Sequence, residues 1–92
     1  MKDVQQKTCS AGVQTVFTMS LRCSQFLVKN FTDNQITVKL GDNDSYSVIG
    51  AGSWERVFNN VEDRTTGTSE ATNIVKVTAV EDGLVEVASV DF

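Results

Sequence analysis

The clearest signal along the chain is alternation of apolar and polar residues. In Gln35-Ile36-Thr37-Val38-Lys39-Leu40 the side chains of Ile36, Val38 and Leu40 point one way and those of Thr37 and Lys39 the other, the two-residue period of a half-buried strand. The run stops at Gly41-Asp42-Asn43-Asp44-Ser45, a cluster of turn formers. Tyr46, Val48 and Gly50 then share one face of a following strand. Near the end, Ile74–Val80 and Leu84–Val90 flank Glu81-Asp82-Gly83. Two valine-rich runs joined through Asp-Gly predict a hairpin. Earlier, Val13–Met19 and Ser24–Lys29 give two more strands, linked by Ser20-Leu21-Arg22-Cys23, which lacks a strong turn residue.

Residues 1–12 are polar and aperiodic, and are expected to form an extended N-terminal arm, flexible or ordered by a partner. Residues 59–73, with Thr65-Thr66-Gly67-Thr68-Ser69 inside, predict a long polar loop. Asn30–Gln35 predicts a turn whose Asn and Asp side chains bond the local backbone. The expected fold is all-β: a small antiparallel β-sandwich or β-barrel of six to eight short strands, with residues 13–92 as a single domain.

One segment is ambiguous. Trp54, Val57, Phe58 and Val61 stand at i, i+3, i+4 and i+7, the spacing of a helix face. As a strand, the segment puts Trp54, Arg56 and Phe58 on one side and Glu55 and Val57 on the other. The strand is favoured because everything around it is β, with Trp54 and Phe58 as core anchors and Trp54 mostly buried. Arg56 must then lie at a sheet edge or meet an acidic partner.

Composition narrows the function. The chain has 92 residues, enough for one domain with a thin core. Its 8 basic and 12 acidic residues give a net charge of −4, and the basic ones are scattered singly. Nucleic-acid binding through counterion release needs clustered Lys and Arg, so no direct nucleic-acid partner is expected. No apolar run approaches the ~20 residues of a membrane span, and MKDVQQKTCSAG lacks the apolar centre of a secretory signal. A cytoplasmic start is expected, with Cys9 and Cys23 as free thiols.

The chemistry-bearing motifs fail one by one. Gly50-Ala51-Gly52 opens like a dinucleotide loop, but position 55 is Glu where the third glycine belongs; the pair reads instead as a bend between strands. Asp42-Asn43-Asp44 opens like a calcium loop, but its sixth and twelfth places hold Ser47 and Ser53; a looser site with Asp63 is the remaining possibility, and turn chemistry explains the cluster better. With no histidine in the chain, the commonest general base and the Ser-His and Cys-His dyads are missing. The Glu62-Asp63 and Glu81-Asp82 pairs sit in loops. No catalytic, metal or cofactor-binding residue is assigned, no enzyme is expected, and the binding residues are unknown. Asn30-Phe31-Thr32 matches a glycosylation sequon, which matters only in a secreted eukaryotic protein.

Three stretches taken together resemble a family. Val28-Lys29-Asn30-Phe31-Thr32-Asp33-Asn34-Gln35-Ile36-Thr37-Val38 is similar to the V-x-N-x-T/S…I-x-V start of small β-rich virion proteins of tailed bacteriophages. Gly50-Ala51-Gly52-Ser53-Trp54 is similar to their A-G-x-S/aromatic step. Ile74-Val75-Lys76-Val77 followed by Val85-Glu86-Val87 is similar to their terminal hairpin. The resemblance covers residues 26–90, and the proline that often precedes the A-G step is absent, as the chain has none. It implies a non-enzymatic capsid decoration or auxiliary head protein, homo-oligomeric, docked on the major capsid protein or other virion proteins and assembled in the host bacterial cytoplasm. A carbohydrate- or receptor-binding β-module, with Trp54 or Tyr46 as an exposed stacking platform, is the alternative.

Overall fold

The computed structural model describes residues 3–41, 46–58 and 72–90. Eight strands follow in chain order: β1 (Val4–Cys9), β2 (Gln14–Cys23), β3 (Gln25–Asn30), β4 (Ile36–Leu40), β5 (Tyr46–Ile49), β6 (Trp54–Phe58), β7 (Thr72–Ala79) and β8 (Gly83–Ser89). The first sheet has the order β1-β8-β3-β6 and the second β2-β7-β4-β5. Every strand pairing is antiparallel. The pairs β1:β8, β2:β7, β3:β6 and β4:β5 nest inside one another, which is the strand order of a jelly roll. The sheets face each other without closing into a barrel, so of the two expected architectures the sandwich is the one found, and no helix occurs among the described residues.

The core follows from alternation. Phe17, Met19, Ile36, Val38, Leu40, Ile49, Val75, Val77 and Ala79 project inward from the second sheet and meet Cys9, Phe26, Val28, Val57, Val85 and Val87 from the first, each no more than 4% exposed. β4 alternates as expected, with Ile36, Val38 and Leu40 buried, and it pairs with β5 as a hairpin.

Other pairings differ from the sequence expectation. β7 and β8 are both strands, yet they do not form a hairpin: β7 lies in the second sheet and β8 in the first. Gly83 therefore does not serve a tight hairpin turn. A Cβ there would stand 2.6 Å from Thr32 Cγ2, so the glycine admits the β3–β4 turn against the start of β8. β2 and β3 likewise occupy different sheets, and the link Ser20–Cys23 continues β2 past a register shift between Thr18 and Cys23.

The extended arm expected over residues 1–12 is not confirmed, because Val4–Cys9 form β1 on the edge of the first sheet. Its polar residues hide the strand from a periodicity reading, since two inward positions carry Gln5 and Lys7 instead of apolar side chains. Lys7 Nζ donates to the carbonyl of Val16 at 2.8 Å and lies 5.4 Å from the centre of the Phe17 ring, and Gln5 Nε2 donates to the carbonyl of Thr18 at 2.7 Å. Asp3 accepts from the Ser20 N–H through its carboxylate. These bonds seal the open side between β1 and β2 with inward-pointing polar groups, a known way of blunting exposed edges. The Asp42–Asp44 cluster and the 59–71 part of the polar loop lie outside the described residues; Thr72 and Asn73 begin β7.

The β3–β4 turn is built around Asn30, which is 1% exposed. Its Nδ2 donates to the carbonyls of Asn34 at 2.7 Å and of Ile49 and Gly50 at 3.1 Å. Its Oδ1 accepts from the Thr32 N–H at 2.9 Å and from Thr32 Oγ1 at 2.7 Å. The local Asn-backbone bonding expected of this turn is therefore present, and it extends to the neighbouring β5–β6 turn. Replacing Asn30 by Ala strips partners from several carbonyls at one buried point. The Asn30→Ala variant is expected to lose about 1–3 kcal/mol of stability, seen in urea unfolding as a lower midpoint at unchanged slope.

Candidate functional site

β6 is a strand on the edge of the first sheet, which settles the strand-or-helix ambiguity over 54–58; Val61 lies outside the described residues. The sides are the reverse of the expected ones. Val57 is the core residue at 4% exposed, whereas Trp54 is 67% and Phe58 47% exposed. Burying Trp54, Arg56 and Phe58 would carry a guanidinium into the core, and the chain avoids that by turning this side to solvent. Glu55 takes an inward position and remains exposed because β6 has no neighbour beyond it. Arg56 sits at an edge, as a strand required.

The β-ladder arranges the outer face of the first sheet in rows. Gln6, Glu86, Lys29 and Trp54 are cross-strand neighbours in one row spanning β1, β8, β3 and β6. Val4, Ala88, Leu27 and Arg56 form the next. On the other side, Thr8 stands opposite Leu84, and the Phe31 N–H donates to the Leu84 carbonyl at 3.0 Å. Phe31 is the first residue after β3, the strand that pairs with β6. It is 54% exposed. Within the central row, Gln6 Nε2 donates to Glu86 Oε1 at 2.8 Å, and Lys29 Nζ lies 3.5 Å from Glu86 Oε2. The polar groups of this face are thus fixed to one another beside two exposed rings.

The local backbone explains where the rings stand. Gly50–Ser53 forms the bend between sheets, closed by the Ser53 N–H donating to the Gly50 carbonyl at 3.1 Å, with Gly52 at a φ of 68° that favours glycine. The Asn30 N–H donates to the Ser53 carbonyl at 2.9 Å. Asn30 therefore holds the residues immediately before Trp54 and precedes Phe31 in the chain. The glycine pair works as a bend, as its sequence suggested.

The outer face of the second sheet is different. Its central row is Val16, Lys76, Lys39 and Tyr46, so two ammonium groups stand on directly opposed positions, an unfavourable pairing. Tyr46 is 64% exposed. The two residues suggested as platforms, Trp54 and Tyr46, are both exposed but lie on opposite faces of the sandwich. Nothing brings them into one site.

Cys9 is a buried free thiol at the end of β1 and Cys23 a partly buried one against the core. Asp82 Oδ1 accepts from the Ala11 N–H at 2.7 Å, so one of the loop carboxylates has a structural role. Among the described residues no cluster of three His, Cys, Asp or Glu side chains could hold a metal ion, and no helix is long and apolar enough to cross a membrane. The sequence carries the signal for this orientation: a Trp-x-Arg-x-Phe side is a poor core side, and Val57 alone on the other is enough for an edge strand.

Fold and face together define an all-β, two-sheet sandwich with an aromatic outer surface on the first sheet. Compared with known proteins, the chain matches no family model, no curated protein and no solved structure. Trp54 is the only tryptophan, so its fluorescence reports this face alone. Its emission is expected close to that of free indole in water and strongly quenched by acrylamide and by iodide; a blue-shifted, protected indole would return Trp54 to the core.

Proposed function

We propose that this chain is a non-enzymatic structural component of a bacteriophage virion, docking on the capsid as a decoration or auxiliary head protein that reinforces the shell or presents an outer surface. The observation that carries the reading is the combination of a jelly-roll strand order with apolar side chains on both outer faces. Val16, Tyr46 and Val48 are exposed on the second sheet, and Val4, Leu84, Trp54 and Phe58 on the first. Jelly rolls serve viral capsids and also lectins, and a fold alone does not assign function. Exposed apolar surface on both faces suits a module packed among other subunits. The resemblance over residues 26–90 supports the same class.

Each sheet face is small. Four strands about 4.8 Å apart and on average roughly six to seven residues long cover on the order of 400 Å², about half the ~800 Å² per partner of a stable protein interface. Docking of single copies is then weak, and homo-oligomeric clusters gain through multivalency. Light scattering after size exclusion is expected to show more than one copy. Co-sedimentation with purified capsids of the phage that encodes the chain is expected to place it on the shell. Failure to bind those capsids under conditions where the protein is folded overturns the reading.

A carbohydrate- or receptor-binding module is the second reading. The exposure of Trp54 favours it, because an indole held outward on a rigid strand is available to a ligand in a way a core indole is not.

A further inference from the structure

We infer that the row Gln6–Glu86–Lys29–Trp54, with Phe31 at its corner, is a binding site for a neutral saccharide. The inference deepens the second reading of function and rests on it rather than on capsid docking. A sugar ring has an apolar face of C–H groups and a rim of hydroxyls that both donate and accept. The faces of Trp54 and Phe31 carry the negative side of an aromatic quadrupole, which attracts the weakly positive C–H groups. Both rings are more than half exposed; Trp54 opens β6, and Phe31 directly follows the end of β3, the strand paired with β6.

The rim has partners beside them. Lys29 Nζ spends one contact on Glu86 and keeps donors free, and Gln6 keeps its carbonyl oxygen as an acceptor after donating to Glu86. Because Glu86 holds both neighbours, these groups are oriented before any ligand arrives, which reduces the ordering cost of binding. Across four strands the row spans about 14 Å, long enough for more than one sugar ring.

The class of ligand follows from charge and area. Lys29 and Glu86 face each other and neutralise the centre of the row, so it offers no net field for an acidic glycan; Arg56 lies one row away. The face is also too small for a tightly bound second copy, whereas a saccharide needs only part of it. Tyr46, by contrast, stands beside two unbalanced lysines on the other sheet and has no paired donor and acceptor set of this kind.

The test uses the full chain and neutral trisaccharides of glucose, N-acetylglucosamine, galactose and mannose, titrated at millimolar concentration while Trp54 fluorescence and amide chemical shifts are followed. At least one sugar is expected to blue-shift Trp54, protect it from acrylamide, and move amides of β3, β6 and β8 in preference to those of β4 and β5. Trp54→Ala, followed by the amide shifts, is expected to weaken binding about tenfold or more. Glu86→Gln is expected to weaken it by a smaller factor by freeing Lys29 and Gln6, and Tyr46→Ala to leave it unchanged. Each variant is first shown to unfold at the wild-type urea midpoint to within a small shift. No response to any of the four sugars, equal binding by Trp54→Ala, or a response only to acidic glycans that vanishes with added salt would each overturn the inference. Capsid co-sedimentation of Trp54→Ala is scored separately, so failure here and failure of the capsid reading are told apart.

Discussion

The buried amide of Asn30 is the interaction on which the candidate site depends. A carboxamide has two donors and one acceptor oxygen, and here every one is engaged between two turns that belong to different parts of the chain. An apolar residue at this point would leave the buried Ile49 carbonyl and the part-buried Asn34 and Gly50 carbonyls without this partner. Asn30 also precedes Phe31, and its N–H holds Ser53, which precedes Trp54. Asn30 thus ties the residues that precede both exposed rings, through its backbone N–H at Ser53 and its side chain at Ile49, Gly50 and Thr32. The rings themselves contribute little to holding the strands.

This end of the sandwich can be knit so tightly because the chain keeps changing sheets. Of the seven connections between consecutive strands, only β4–β5 stays within one sheet. The connections β1–β2, β3–β4, β5–β6 and β7–β8 all come together at the end where Asn30 lies, as the registers Cys9 with Gly83, Asn30 with Val85 and Ile36 with Ile49 require. A turn between sheets has no ladder of its own and must be held by its neighbours. Thr32 against Gly83, Ala11 on Asp82 and Gly12 on Ala79 are such holds. The same topology pairs Val4 with Ala88, so the first strand finds its partner only when the last is in place, a non-local arrangement that slows folding.

How much of this was legible follows from what alternation can carry. β4 was legible to within one residue at its start, because its apolar side faces a core and its polar side faces water. β7 and β8 were legible as strands but not as neighbours: alternation says which side chains are buried, not which sheet buries them. The Asp82-Gly83 pair has the composition of a hairpin turn, but here the missing Cβ of Gly83 makes room for Thr32. β1 was illegible because two of its three inward positions, Gln5 and Lys7, are polar and close the sheet edge by hydrogen bonds, leaving Cys9 alone to face the core. On β6 both alternative sides carried a charge, and only the edge position decides that Glu55 can point inward and stay wet. The site was half legible: Trp54 was singled out, while its row partners Gln6, Glu86 and Lys29 come from three other strands that no short motif joins.

The two outer faces of the sandwich divide the charge unequally, and that division bears on how one module could meet two kinds of partner. On the first sheet, Lys29 and Glu86 cancel beside aromatic rings. On the second, Lys39 and Lys76 repel across β4 and β7 with Tyr46 and Val16 at either end. Repulsion between opposed lysines is relieved when an acidic surface covers them, whereas the first face has no such strain to relieve. A shell contact through the second sheet would relieve that repulsion and leave the first sheet turned outward. The virion reading and the saccharide site then require different sides of the same thin layer, and neither excludes the other.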